Sequence, residues 1–170
     1  IAQRIRDRGP LTVAEFMSIA LYHPEHGYYT AYRHVAHESF DFVFHFGDYI
    51  YEYGYVAEGH VGTPPVIRAM PSHYKSCRTL ADYRNRYALY KSDADFQAAH
   101  ASAPFIVSFD DHEVEDNWAG DHSSKGYDKV PAAEFLKRRA AAFQAWYEHM
   151  PVRSALIPRG PDILAYRRFA

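Results

Sequence analysis

The sequence predicts an α/β fold, because two apolar segments of strand length are separated by helical segments and each ends in acidic residues. Residues 40–46 read FDFVFHF and residues 104–109 read PFIVSF. Such nearly continuous apolar runs are typical of strands buried on both faces of a parallel sheet. The acidic residues that begin at Asp48 and Asp110 would lie at the carboxyl ends of these strands, where open α/β sheets bind ligands.

The region before the first strand is predicted to be mainly helical. A helix begins at Thr12, which forms a capping box with Glu15, and ends before Pro24. A loop follows, and residues 31–37 are predicted as a short helical piece. Residues 54–78 contain Gly and Pro residues and show little periodicity, which predicts a long loop.

Three further helices are predicted after this loop. Thr79 caps the first helix, residues 93–101 form the second, and Pro131 opens the third. Residues 119–130 and the tail at 151–170 are predicted mostly as loop. The inward face of the first helix is predicted to carry Leu80, Tyr83, Tyr87 and Tyr90. The inward face of the third helix is predicted to carry Phe135, Leu136, Phe143, Trp146 and Tyr147.

Composition excludes several classes of protein. The net charge is −2 and charges of both signs are interspersed, so no basic stripe indicates a nucleic-acid-binding surface. No apolar run approaches the roughly 20 residues that span a bilayer. The first residues, IAQRIRDRG, lack the apolar core of a signal peptide. A single cysteine, Cys77, excludes an internal disulfide.

The first candidate site follows the first predicted strand. Gly47 permits a sharp turn, so that the Asp48 carboxylate can project beyond the strand end. Tyr51, three residues further on, could turn its hydroxyl toward the same point. A carboxylate can bridge two cations, and a phenolate is a hard donor suited to an acidic ion such as Fe³⁺. The alternative for this segment is an acidic turn that caps a helix.

The second candidate site follows the second predicted strand and reads Asp110-Asp111-His112-Glu113. Adjacent carboxylates repel each other, which raises one pKa unless a cation lies nearby. A metal ion would relieve this repulsion, and His112 could then donate a hydrogen bond to a phosphoryl oxygen or protonate a leaving group. A solvated acidic loop is the alternative for this segment considered alone.

Long ordered blocks of the sequence resemble a known family. DFVFHFGDYIYEYG, LADYRNRYALYKSDADFQAAHASAPFIVSFDDHEVEDNWAGD and FLKRRAAAFQAWYEHMPVR are similar to successive blocks of the PhoD family of alkaline phosphatases. The similarity runs from about residue 27 to residue 170. It implies a metallophosphoesterase β-sandwich of the calcineurin-like type with flanking helices, present here only in part. It also implies an extracellular or periplasmic location.

The resemblance further implies a centre of Fe³⁺ and Ca²⁺ that hydrolyses phosphomonoesters and phosphodiesters. Asp48 would bridge the metal ions and Tyr51 would bind the ferric ion. Asp111 would stand where related phosphoesterases place a metal-binding Asn, and His112 would be the catalytic, substrate-facing histidine that follows it. Asn117, in the same block, is a further candidate ligand.

The sequence departs from the family pattern in its ligand set. Family members are several times longer and carry a Cys ligand on a strand that precedes the GDYIYE block. Cys77 lies downstream of that block and does not match. A further Asp and a further His ligand come from a region beyond residue 170 of this chain. The centre is therefore expected to be incomplete here.

The N-terminal segment resembles a different family. IRDRGPLTVAEFMSIALYHPEHGYYT is similar to the opening of MidA-like S-adenosylmethionine-dependent methyltransferases. Residues 1–30 are accordingly predicted as a helical segment, and residues 31–170 as a partial PhoD-like phosphatase domain. A fusion would make the first segment foreign to the second, and a chance similarity of one capped helix is the alternative.

Three functions remain open from the sequence. The first is a metal-dependent phosphoester hydrolase of the PhoD type, acting on phosphomonoesters or phosphodiesters with an incomplete site. The second is a non-catalytic fragment of such an enzyme. The third is a methyltransferase fragment, which the sequence disfavours because no glycine-rich cofactor loop follows a strand.

Overall fold

The computed structural model describes residues 40–52, 76–124 and 130–166. The helices predicted before residue 40, the domain boundary near residue 30 and most of the predicted loop at 54–78 lie outside these ranges. The described part is a mixed α/β structure, as predicted. Its elements, in chain order, are β1 (Val43–His45), α1 (Leu80–Lys91), α2 (Ala94–Ser102), β2 (Phe105–Val107), α3 (Ala132–His149) and a 3₁₀ turn (Ser154–Leu156).

The chain divides into two compact units, of which the smaller comprises residues 1–42 and 93–104. Its described helix is α2, close to the predicted helix at 93–101. Asp93 caps this helix, since its carboxylate accepts a hydrogen bond of 3.0 Å from the backbone N–H of Phe96. The side chain of Phe96 is buried.

The larger unit comprises residues 43–92 and 105–170 and contains both strands. β1 and β2 pair in parallel, with Val43 beside Phe105 and His45 beside Val107. The pairing continues past the strands, because the N–H of Ser108 donates to the carbonyl of His45 at 2.8 Å. The prediction that both segments lie in one sheet is confirmed, and their carboxyl ends meet at one edge.

The burial predicted for β1 is wrong. The side chains of Phe44 and Phe46 are 46% and 77% exposed, whereas His45 between them is 5% exposed. Successive side chains of a strand point to opposite faces, so the two phenylalanines share the face opposite to His45. No described element covers that face. β2 conforms better to the prediction, with Phe105 and Val107 buried.

α1 begins at a capping box, as its sequence predicts. The Thr79 hydroxyl accepts a hydrogen bond from the N–H of Asp82 at 3.2 Å, and the Asp82 carboxylate accepts one from the N–H of Thr79 at 2.8 Å. The predicted inward face is only partly correct, because Leu80 and Tyr90 are half-buried. The buried residues of α1 are Tyr83, Arg86, Tyr87 and Leu89.

α3 packs against α1 in the larger unit. Its predicted anchors Phe135, Phe143 and Trp146 are buried, but Leu136 and Tyr147 are only half-buried. An arginine occupies part of the inward face instead, since Arg138 is 3% exposed and forms an ion pair with Glu115. The remaining buried residues of α3 are Ala142 and Ala145.

The described part of the tail is mostly irregular, as predicted. It contains the short 3₁₀ turn and one isolated bridge between Arg159 and Asp162. Arg139 on α3 anchors it, because its Nε donates to the carbonyl of Pro161 at 2.7 Å. None of the described helices combines the length and apolar character needed to cross a membrane.

Candidate metal centre

Two acidic loops meet at the carboxyl edge of the sheet. The first acidic loop, residues 47–52, follows β1, and the second acidic loop, residues 110–113, follows β2. Asp48, Asp111 and His112 each offer a ligand atom, and these atoms lie within 4.8 Å of one another. The prediction that Asp48 and Asp111 lie close together at one edge is therefore confirmed.

The approach of the two loops depends on Gly47. Its φ is +117°, which residues with a side chain rarely adopt, and a Cβ atom there would lie 2.4 Å from the backbone nitrogen of Asp110. A side chain at position 47 would therefore push the second acidic loop away. Glycine is needed here both for the dihedral angle and for the contact.

Asp48 carries the feature that most directly indicates a cation. Its φ is 55°, in the left-handed region, so the carboxylate leaves the strand direction. Oδ2 accepts a hydrogen bond of 3.3 Å from the Tyr51 hydroxyl, whereas Oδ1 is buried and has no hydrogen-bond partner. Burial and the nearby Asp111 and Asp110 raise the pKa of Asp48, against the opposing effect of His112. A buried carboxylate oxygen without a donor fits a bound cation.

Tyr51 is held by both its side chain and its backbone. Its ring lies 4.3 Å from that of His112, measured between centroids. Its N–H donates to the hydroxyl of Tyr90 at 3.2 Å, and its carbonyl accepts from the guanidinium of Arg86. Since Arg86 and Tyr90 belong to α1, this helix fixes the position of Tyr51 beside Asp48.

Asp111 is oriented by backbone N–H groups. Oδ1 accepts from the N–H of His112 at 3.0 Å, and Oδ2 accepts from the N–H of Asn117 at 2.6 Å. These contacts hold the carboxylate in one orientation while each oxygen keeps a further lone pair. Asn117 is exposed and has a left-handed φ of 54°. Its backbone therefore orients Asp111, and a ligand role for its side chain stays a prediction.

His112 is braced by a buried carboxylate. Nδ1 lies 2.8 Å from Oε2 of Glu52, and the His112 side chain is 12% exposed. Glu52 is itself fixed, because its Oε1 accepts from the N–H of Asp116 at 2.8 Å. Burial lowers the pKa of His112, but the hydrogen bond to Glu52 and the charges of Glu52, Asp111 and Asp48 outweigh it, so the pKa is raised. The contact at Nδ1 leaves Nε2 directed away from Glu52, 3.6 Å from Asp116.

Sequence reasoning missed the two buried glutamates of the site. Glu52 is 1% exposed and Glu113 is 0% exposed. The Glu113 carboxylate accepts from the N–H groups of Asp48 at 3.1 Å, Asp110 at 2.6 Å and Tyr49. Burial raises the pKa of Glu113 to about 7, although its backbone hydrogen bonds oppose this shift. The aromatic run YIYEY around Glu52 was a usable signal of burial, but Glu113 had no comparable signal.

The protein is thus an α/β protein with a group of side chains at the sheet edge that could hold a metal ion. The group consists of two carboxylates, a phenol and the imidazole held by Glu52. The chain belongs to the PhoD-like phosphatase family, whose model matches residues 14–170. This finding confirms the resemblance read from the sequence. It also disfavours a methyltransferase, since the match begins within the N-terminal segment that resembled one.

Two individual similarities agree with the family assignment. The chain is 53% identical over 149 residues to alkaline phosphatase D of Bacillus subtilis (strain 168), covering 85% of this chain and 24% of that relative. A solved structure described as the structure of PhoD matches with a TM-score of 0.67 and 48% identity, covering 85% of this chain and 26% of that one. The chain therefore spans about a quarter of the length of the relatives that it matches.

Proposed function

We propose that this chain supplies part of the metal centre of a phosphoester hydrolase, with Asp48, Asp111 and Tyr51 as metal ligands. The observation that carries the proposal is the buried, unpartnered Oδ1 of Asp48. It lies in a group whose ligand atoms are within 4.8 Å of one another. Membership of the PhoD-like phosphatase family supports the reaction class.

The donor set suits hard cations, since it consists of carboxylate oxygens and a phenol oxygen. We propose Ca²⁺ for the carboxylates and Fe³⁺ beside Tyr51, with Asp48 between them and Asn117 as a further candidate ligand. Bound metal ions would supply Lewis-acid stabilisation of phosphoryl oxygens and would lower the pKa of a water molecule. The identity of both ions rests on the resemblance and on this donor chemistry.

The protein groups have separate tasks in the proposed reaction. Glu52 holds the His112 ring through Nδ1. Nε2, which lies 3.6 Å from Asp116, could exchange that contact for a phosphoryl oxygen or give a proton to the leaving group. The Tyr51 ring packs on His112 and limits the movement of that side chain. The Tyr51 hydroxyl donates to Asp48 in this structure and would lose that proton on binding Fe³⁺. His112 is the proposed catalytic residue, because it would contact the substrate in this reaction.

The wider context of the site rests on the resemblance. The substrate is proposed to be a phosphomonoester or a phosphodiester. The described sheet would belong to the β-sandwich of a metallophosphoesterase, with residues 31–170 forming part of that domain. An extracellular or periplasmic location is likewise a proposal.

A second candidate function is that of a domain without turnover by itself. It is favoured by the coverage of the relatives, of which this chain spans 24% and 26%. Within the described ranges, the metal-holding group has three His or acidic members. A complete centre of two metal ions requires more ligands than these.

An assay with a chromogenic phosphodiester tests the first function. We expect slow turnover that requires added Ca²⁺ and Fe³⁺, and that falls by about 10²–10³ in Asp48→Asn and His112→Ala, as for loss of one charge-stabilising group. Asp121→Asn is the matched control, because Asp121 is exposed and lies outside both acidic loops. Turnover that survives a chelator and both site variants would contradict the proposal.

A spectroscopic titration distinguishes the two functions. Coordination of Fe³⁺ by Tyr51 would give a visible charge-transfer band that disappears in Tyr51→Phe. Tyr147→Phe is the control, because Tyr147 lies half-buried on α3. A band without turnover would support the non-catalytic domain, and the absence of both would contradict the assignment of Tyr51.

A further inference from the structure

We propose that Glu113 is a positioning residue that sets the separation of the two acidic loops and thereby the affinity with which Asp48 and Asp111 bind a metal ion. This inference rests on the proposed function. It assigns Glu113 a role distinct from that of a ligand. This role depends on which N–H groups donate to the Glu113 carboxylate and on how many of its lone pairs they use.

The Glu113 carboxylate bridges the two loops directly. Oε2 accepts from the N–H of Asp48 at 3.1 Å and from the N–H of Asp110 at 2.6 Å, while Oε1 accepts from the N–H of Tyr49. Two donors therefore come from the first acidic loop and one from the second. Oε2 alone accepts from both loops, through Asp48 and Asp110, so it fixes how far Asp48 lies from the loop that carries Asp111.

These contacts leave little capacity for a metal ion. An ionised carboxylate has about four lone-pair positions, and three are taken by backbone N–H groups. Glu113 is fully buried, at 0% exposure, and it lies outside the group whose ligand atoms converge. Its carboxylate therefore acts on the centre through the backbone and not by coordination.

The geometry of the first acidic loop makes this contact decisive for Asp48. The backbone of Asp48 has a left-handed φ of 55°, which costs conformational energy in a residue with a side chain. The hydrogen bond from its own N–H to Glu113 stabilises that conformation. Without the acceptor, Asp48 would relax toward an ordinary dihedral angle and its carboxylate would turn away from Asp111.

Glu115 provides a matched comparison two residues away. It is also buried, at 2% exposure, and accepts from the hydroxyl of Ser123 at 2.5 Å and the N–H of Ser124 at 2.8 Å. Its other partner is Arg138. None of these partners lies on either acidic loop. Glu113→Gln and Glu115→Gln each replace a buried carboxyl group with an amide that has a single acceptor oxygen, but only the first weakens a contact between the loops.

The test is a titration of the ¹⁵N-labelled full chain with Ca²⁺, followed by the amide signals of Asp48 and Asp111. We expect Glu113→Gln to weaken Ca²⁺ binding by about 10–100-fold, the usual effect of losing a group that orients a metal ligand. Glu115→Gln should lower the melting temperature without changing the affinity of the folded protein. Equal affinity in the wild type and in folded Glu113→Gln would overturn the proposal.

A second measurement needs no variant. In the wild type, the amide nitrogens of Asp48 and Asp110 should show scalar couplings to the carboxylate carbon of Glu113 through their hydrogen bonds. Their absence would overturn the bridge even if Glu113→Gln does not fold. If the wild type binds no Ca²⁺, the proposed metal centre fails, whereas the couplings still decide whether Glu113 joins the loops.

Discussion

The site end of the molecule and its helix layer use buried carboxylates in different ways. In the site end, formed by the two acidic loops, Glu52 and Glu113 accept hydrogen bonds from backbone N–H groups. In the helix layer, formed by α1 and α3, Arg138 pairs with Glu115 and donates from Nε to the hydroxyl of Tyr83 at 3.0 Å. At the site end, backbone contacts hold the loops. In the helix layer, the Arg138 side chain joins α3 to Tyr83 on α1 and to the segment that carries Glu115.

This difference separates two effects of substitution. Loss of a carboxylate that holds a loop should change the positions of candidate ligands, and so the metal affinity. Loss of a buried side-chain pair made by a helix should change the free energy of unfolding and leave the ligands in place. Three predictions test this separation.

The largest effect is expected from Arg138→Ala. Removing one partner of a buried ion pair typically costs 3–5 kcal/mol, because the other charge is left buried and uncompensated. Here Glu115, with a side chain 3% exposed, would lose its charged partner and keep only its hydrogen bonds from Ser123 and Ser124. Urea unfolding should show a loss of about that size, with Ca²⁺ affinity of the folded fraction unchanged.

The control for this variant is Arg84→Ala. Arg84 also binds a glutamate, Glu148, but its side chain is 48% exposed, so water replaces the lost contact. Little change in stability is expected. If the two variants cost the same, burial of the Arg138 pair is not what stabilises the helix layer.

The second effect is a dependence of stability on pH that arises from His45. Burial lowers the pKa of His45 to about 4, from 6.5. Between these values the unfolded chain binds more protons than the folded one, so stability falls as the pH falls from 6.5 to 4. A difference of about 2.5 pKa units corresponds to about 3 kcal/mol.

Urea unfolding at several pH values would measure this dependence in three proteins. His45→Gln should have a shallower slope than the wild type. His122→Gln should keep the wild-type slope, since the His122 side chain is 78% exposed. A slope retained in His45→Gln would show that other groups titrate in this range.

The smallest effect on stability is expected from glycine substitutions at two positive φ angles. Gly160→Ala should cost about 1 kcal/mol for its left-handed backbone alone, since no atom lies within 4 Å of the added Cβ. Gly47→Ala should cost more, of order 1–3 kcal/mol, from its rarer dihedral angle and its contact with Asp110. Only Gly47→Ala should weaken Ca²⁺ binding, as measured by the same titration. Equal affinities would show that the loops tolerate separation.

The sequence predicted the position of the candidate centre better than its internal structure. Strand-length apolar runs that end in Asp48 and Asp110 were enough to place both loops at one edge. The aromatic run around Glu52 indicated its burial, but Glu113 lies in an acidic segment that predicts exposure, and the hydrogen bonds of both residues were not predictable. Their burial depends on backbone N–H groups brought together only by the fold.

Burial was also the least reliable property of the predicted strands and helices. An apolar run indicates a strand but does not show what covers each face, and Phe44 and Phe46 are exposed as a result. On α3, the helical period placed Phe135, Phe143 and Trp146 correctly. Arg138 was missed, because its burial requires a partner, Glu115, that lies in a distant segment.

The bridges made by Glu113 and Glu52 also bear on the order of folding. They join residues far apart in the chain, since Asp48 and Glu113 are 65 positions apart and Glu52 and His112 are 60 positions apart. Closing such long segments costs entropy before any contact is gained, and parallel strand pairing is intrinsically slow. α1, by contrast, begins with a capping box between residues three positions apart. We therefore expect the helices to form early during refolding and the candidate metal centre to be among the last parts to become native.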